Sequence, residues 1–164
     1  MFKKVVNYDI ITLAARGACS GNTISFLNAE GPSAVDLVTD FGIDIVWHPS
    51  LGLELGEPVK QMIRDIASGK EPLDIFVFEG SVIQGAEGTG RFNMFAERPM
   101  MDWLREIAPR AQIVVALGGG ACWGGIPATA PNLTDSIGLQ FMGYCQHLNT
   151  VSNWGLSYVR SSVD

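Results

Sequence analysis

The chain has 164 residues, 47% of them hydrophobic and 17% charged, which suits one compact domain and excludes disorder as the main state. Its 17 acidic residues outnumber 11 basic ones for a formal charge of −6, and no basic cluster offers itself to phosphates, which argues against a nucleic-acid binder. No stretch approaches the roughly 18 to 20 apolar residues of a membrane span.

Lys3 and Lys4 are followed by Asn7, Tyr8 and Asp9 instead of a signal-peptide core, so the expectation is a cytoplasmic protein that is not integral to a membrane. Asp9 to Ala15 predicts a buried strand that runs into the loop from Arg16 to Asn22. Apolar residues recur at helical spacing from Thr23 to Asp40, and Gly31-Pro32 breaks this stretch into a short turn and a longer helix starting near Ser33. Ile43 to Trp47 predicts a second strand. Gly56-Glu57-Pro58 opens a helix with Val59, Met62, Ile63 and Ile66 on one face, ended by Gly69.

Leu73 to Phe78 predicts a third strand, Gly85 to Gly90 a loop, Pro99 to Ala108 a helix, and Ala111 to Leu117 a fourth strand. That strand feeds the glycine-rich run Gly118 to Gly125, read as a loop. Strands apolar on both faces and separated by helices imply a parallel α/β sheet. In such sheets ligands sit beyond the carboxyl ends of the strands. After Phe141 no period is visible.

Three unusual groups fall at that edge: Cys19, Glu79-Gly80-Ser81 and Cys122. Three cysteines, at 19, 122 and 145, are an odd and widely spaced set and do not form a disulfide framework. Cys19 and Cys122 are either small buried side chains or ligands of an iron–sulfur cluster, whose bulk needs the close backbone approach that glycine allows. Glu79 ends an apolar strand and is either a cap for a nearby loop or a proton carrier. Gly118 to Gly125 could also cradle a nucleotide phosphate, although it matches neither the P-loop nor a GxGxxG fingerprint. His48 and His147 stand alone, as structural histidines usually do.

Four blocks carry a family resemblance: Gly17 to Asn28, Asp44 to Gly56, Pro72 to Ser81, and Cys122 to Ala128. In this order they resemble the N-terminal, flavodoxin-like part of the small subunit of nickel–iron hydrogenases, in the cytoplasmic uptake type. The resemblance runs from about Gly17 to Phe141. It implies a flavodoxin-like three-layer α/β fold with a central parallel sheet. It also implies an oxidoreductase subunit that passes electrons from H2 oxidation through an iron–sulfur cluster, of the 3Fe–4S or 4Fe–4S kind.

The implied partners are a large subunit holding the nickel–iron site and an electron-acceptor protein or quinone-linked carrier, through which the protein could associate with a membrane. Cys19 matches the first cluster ligand. Asn22 stands where many relatives have a second cysteine, and Gly120 where they have another; Cys122 lies two residues later. Cys145 is the remaining candidate ligand, without the usual Gly-Cys-Pro context. Gly21, Asn22, Gly120, Gly124 and Gly125 are the implied cluster-binding residues, and Glu79 a proton or hydrogen-bond relay. Trp47 and His48 are implied to support the cluster loop from beneath.

The expected organisation is therefore an iron–sulfur domain over residues 1–141 and an atypical tail over 142–164 that is not an independent domain. The family's C-terminal cluster domain has no counterpart in the sequence. The alternative is a degenerate flavodoxin-like module that binds a partner without a complete cluster.

Overall fold

The computed structural model describes residues 8–15, 18–142, 148–151 and 156–160. The elements in chain order are β1 (Tyr8–Ala14), α1 (Gly21–Leu27), α2 (Ala34–Thr39), β2 (Ile43–Trp47), α3 (Glu57–Ser68) and β3 (Ile75–Glu79). There follow β4 (Val82–Ile83), β5 (Met94–Phe95), β6 (Arg98–Pro99), α4 (Met100–Ile107), β7 (Ile113–Leu117) and α5 (Gly118–Trp123). The last are β8 (Ser136–Ile137), β9 (Leu148–Val151) and β10 (Leu156–Arg160).

The main sheet has the order β2-β1-β3-β7-β10-β9. Its first four strands are parallel, and their order is that of the flavodoxin-like doubly wound fold. Two short antiparallel pairs, β4 with β8 and β5 with β6, lie outside it.

Alternation along the strands assigns the two faces. Ile11, Leu13, Phe76, Phe78, Val114 and Ala116 form one core with α3 and α4. α3 is built for this role. Val59, Ile63, Ile66 and Ala67 are its buried residues, Pro58 sits in its first turn, and Gly69 closes it in the left-handed conformation at φ 78°. In α4, Met100, Met101, Trp103, Leu104 and Ile107 are buried.

The opposite face carries Thr12, Val77, Val115 and Leu117 and is covered by α1 and α2, with a cavity of about 160 Å³ between them. Ser33 starts α2 with a reciprocal capping box to Asp36. The helix expected from near Ser33 is present but has only six residues, and the short turn expected before Gly31-Pro32 is instead the seven-residue helix α1.

Two expectations change. The glycine-rich run is not an open loop, since residues 118–123 are helical. The tail, read as aperiodic, contributes β9 and β10, which pair antiparallel with each other, β10 also pairing antiparallel with β7. Strands of four and five residues are too short to show a period in sequence.

Candidate functional site at the carboxyl edge of the sheet

Strand register lines up Ala14, Glu79 and Leu117 across β1, β3 and β7. Immediately beyond this row lie the Cys19 loop, the Glu79-Gly80-Ser81 turn and α5. Gly80 has φ 93°, and a Cβ there would lie 3.0 Å from Ala18 Cβ and 3.2 Å from the Ala15 carbonyl oxygen. On the other side, a Cβ on Gly120 would lie 3.3 Å from the backbone of Gly80. Three backbone segments therefore meet without side chains between them, which only glycine permits. Ser81, fully buried, fastens the arrangement by donating to the Gly124 carbonyl at 2.7 Å. Gly124 and Gly125 both have positive φ, at 94° and 58°, and turn the chain away from α5.

Glu79 is 2% exposed. Its Oε2 accepts from Thr23 Oγ1 at 2.7 Å, and its Oε1 accepts from Asn22 Nδ2 at 3.2 Å. Asn22 Nδ2 is also 3.5 Å from the Leu117 carbonyl oxygen. Thr23 Oγ1 lies 3.4 Å from His48 Nε2, and His48 Nδ1 accepts from the Ser50 backbone N–H at 3.0 Å. Burial lowers the pKa of His48 below its ordinary 6.5, and the charge of Glu79 partly opposes this. The cavity on this face, walled by Phe26, Ile45, Val77 and Leu117, adjoins Thr23 and His48 and keeps the network in apolar surroundings.

The thiols occupy different settings. Cys19 is exposed, and Gly21 leaves room beside its Sγ, 3.2 Å from where a Cβ would stand. Ser20, at φ 56°, makes the turn that carries Cys19 into α1. Cys122 is fully buried in the apolar core, with its Sγ 3.4 Å from the Ala116 carbonyl oxygen. Cys145, His147 and the loop residues Arg16 and Gly17 lie outside the described residues.

A cluster of iron and sulfide needs about three or four thiolates around one space. Among the described residues no group of three or more His, Cys, Asp or Glu side chains is gathered to hold a metal. The glycine cradle matches the expectation of close backbone approach, but the donor set of the described residues does not fit either kind of cluster. The nucleotide reading of Gly118 to Gly125 likewise meets a helix whose inner backbone packs on Gly80.

Sequence reasoning singled out Asn22 and Glu79 without linking them, and it missed Thr23. The signal available for Thr23 was weak, a hydroxyl residue one position after Asn22 at the start of a helix. His48, expected as support for the loop, is joined to Glu79 through Thr23.

The fold and this edge define a class: a flavodoxin-like α/β domain whose polar chemistry is concentrated where the parallel strands end. The chain belongs to the NADH ubiquinone oxidoreductase, 20 Kd subunit family, whose model matches residues 19–154. It is similar to the F420 non-reducing hydrogenase I small subunit of Methanosarcina mazei, 30% identical over 138 residues, covering 75% of this chain and 35% of that protein. A stretch of 32 residues is 77% identical to the cytochrome c3 hydrogenase small chain of Acidithiobacillus ferrooxidans, covering 20% of this chain and 80% of the other. The actinobacterial-type NiFe-hydrogenase from Ralstonia eutropha H16 superimposes with a TM-score of 0.75 and 26% identity, over 88% of this chain and 46% of that one. The chain spans about a third of the length of the hydrogenase small subunits it first matches, 35% in Methanosarcina mazei and 32% in Escherichia coli.

Proposed function

We propose that this chain is the α/β part of the small subunit of a nickel–iron hydrogenase. It docks on a large subunit that holds the nickel–iron site and serves electron transfer away from hydrogen oxidation. The observation that carries this reading is the superposition over 88% of the chain at a TM-score of 0.75. Surface chemistry supports it. Leu53 and Leu55 after β2 are 92% and 79% exposed, and Ile126 and Leu133 after α5 are 86% and 80% exposed. Apolar side chains set this far into water are what a permanent partner covers. The uptake direction, a cytoplasmic site of action and an electron-acceptor protein or quinone-linked carrier downstream belong to the same proposal.

Glu79 is the proposed proton or hydrogen-bond relay at this edge. Its carboxylate accepts from two fixed donors, Asn22 and Thr23, and lies one residue from the glycine that meets the Cys19 loop. In a complex with the large subunit, Glu79→Gln keeps the shape and removes the proton site. Hydrogen-dependent dye reduction is expected to fall about 100-fold with assembly unchanged. Iron–sulfur loading would draw on Cys19 and on donors beyond the described residues.

The test is anaerobic co-expression with a nickel–iron large subunit. A complex that copurifies and retains nickel is expected. Elution of the chain at its own size, with the large subunit present and folded, rejects the proposal.

A further inference from the structure

We propose that Asn22, Thr23 and His48 are the positioning residues of Glu79. The inference deepens the role proposed above for Glu79 and rests on it for its functional meaning. Its geometry is independent of that role.

Each carboxylate oxygen receives one donor, Oε1 from Asn22 and Oε2 from Thr23. The orientation of Asn22 follows from its neighbours. The atom that approaches Glu79 Oε1 also approaches the Leu117 carbonyl oxygen. Only the amide nitrogen satisfies both, since a flipped amide would set oxygen against two acceptors. Gly118 lies directly against this amide and has no room for a Cβ, so the side chain is held from behind. The same amide nitrogen is therefore committed to two acceptors, Glu79 Oε1 and the Leu117 carbonyl oxygen.

The second arm has one consistent set of hydrogens. Ser50 N–H points at His48 Nδ1, so the neutral ring carries its proton on Nε2. Nε2–H then donates to Thr23 Oγ1, whose single hydrogen goes to Glu79. Ser50, His48 and Thr23 all donate toward the carboxylate. Protonating His48 would place an Nδ1–H against the Ser50 N–H. The arm thus orients Glu79 and presents it with a donor only. The lowered pKa of His48 agrees with this.

The experiment is a long-range 1H–15N correlation on the full chain, uniformly labelled, in neutral solution. His48 is expected as the Nε2–H tautomer alone. Glu79→Gln should shift both the Asn22 side-chain amide and the His48 Nε2–H, two groups on opposite arms that share Glu79 as the node. Thr23→Val should make exchange of the Nε2–H with water about tenfold faster, the worth of one hydrogen bond, and Thr23→Ser should restore it. An Nδ1–H tautomer, or a Glu79→Gln spectrum in which neither signal moves, overturns the proposal. If Glu79→Gln does not fold, the Thr23 pair decides, and equal exchange in Val and Ser variants overturns it. None of these readouts involves a large subunit, so failure of the hydrogenase reading and failure of this inference are separately visible.

Discussion

Glu79 is a carboxylate in the last position of an apolar strand, and its oddness there was legible from the sequence alone. What holds it was not. Asn22 and Thr23 lie 57 and 56 positions away in the chain, and only the parallel pairing of β1 with β3 brings them near. Local patterns carry no record of such a meeting. His48 has a consequence for acid stability. Its folded pKa lies below the ordinary 6.5, so above that pH the ring is neutral folded or unfolded and its burial carries no protonation penalty. As pH falls through 6.5 toward the folded value, the unfolded chain takes up the proton first and stability is lost. His48→Gln should flatten this part of the curve, read as urea midpoints from about pH 7.5 to about pH 5. An unchanged slope would contradict the burial described here. Ser81→Ala leaves the buried Gly124 carbonyl without its donor and should cost about 1–3 kcal/mol in the same denaturation assay.

At the scale of elements, strands β1, β2, β3 and β7 and helices α3 and α4 fall within two residues of the spans read from the sequence. These elements are bounded by glycine or proline or are continuously apolar, which is why periodicity finds them. α3 shows how strongly the core depends on one such face. Ile63 is fully buried, and Ile63→Ala should destabilise by about 2–5 kcal/mol, measured by chemical denaturation. The glycine-rich run misled because glycine is the residue of loops and weakens helices. Here close packing overrides propensity. Gly120 must let Gly80 approach, and Gly125 must let Gly120 approach, with a Cβ at Gly125 only 3.0 Å from the Gly120 Cα. Gly125→Val should lower the thermal midpoint, whereas Gly88→Ala, with open space around it but a strained φ of 76°, should lower it less.

For the molecule as a whole, buried strands alternating with helices were enough to expect a parallel α/β sheet, which the four parallel strands bear out, while the flavodoxin-like strand order was implied by the resemblance alone. The antiparallel addition at its end was not legible, because β9 and β10 are short and β7, the strand that β10 pairs with, is remote in sequence. Their placement matters for solubility. β10 covers the whole of β7, from Leu156 opposite Leu117 to Arg160 opposite Ile113. Removing residues 148–164 should leave that edge open to other chains, and light scattering should report self-association. The same pairing bears on how the protein is made. During synthesis β7 is made before β10, and its free side stays unpaired until β10 has followed it out of the ribosome. Slower elongation between the two strands lengthens the time for which that edge of the nascent chain stays open.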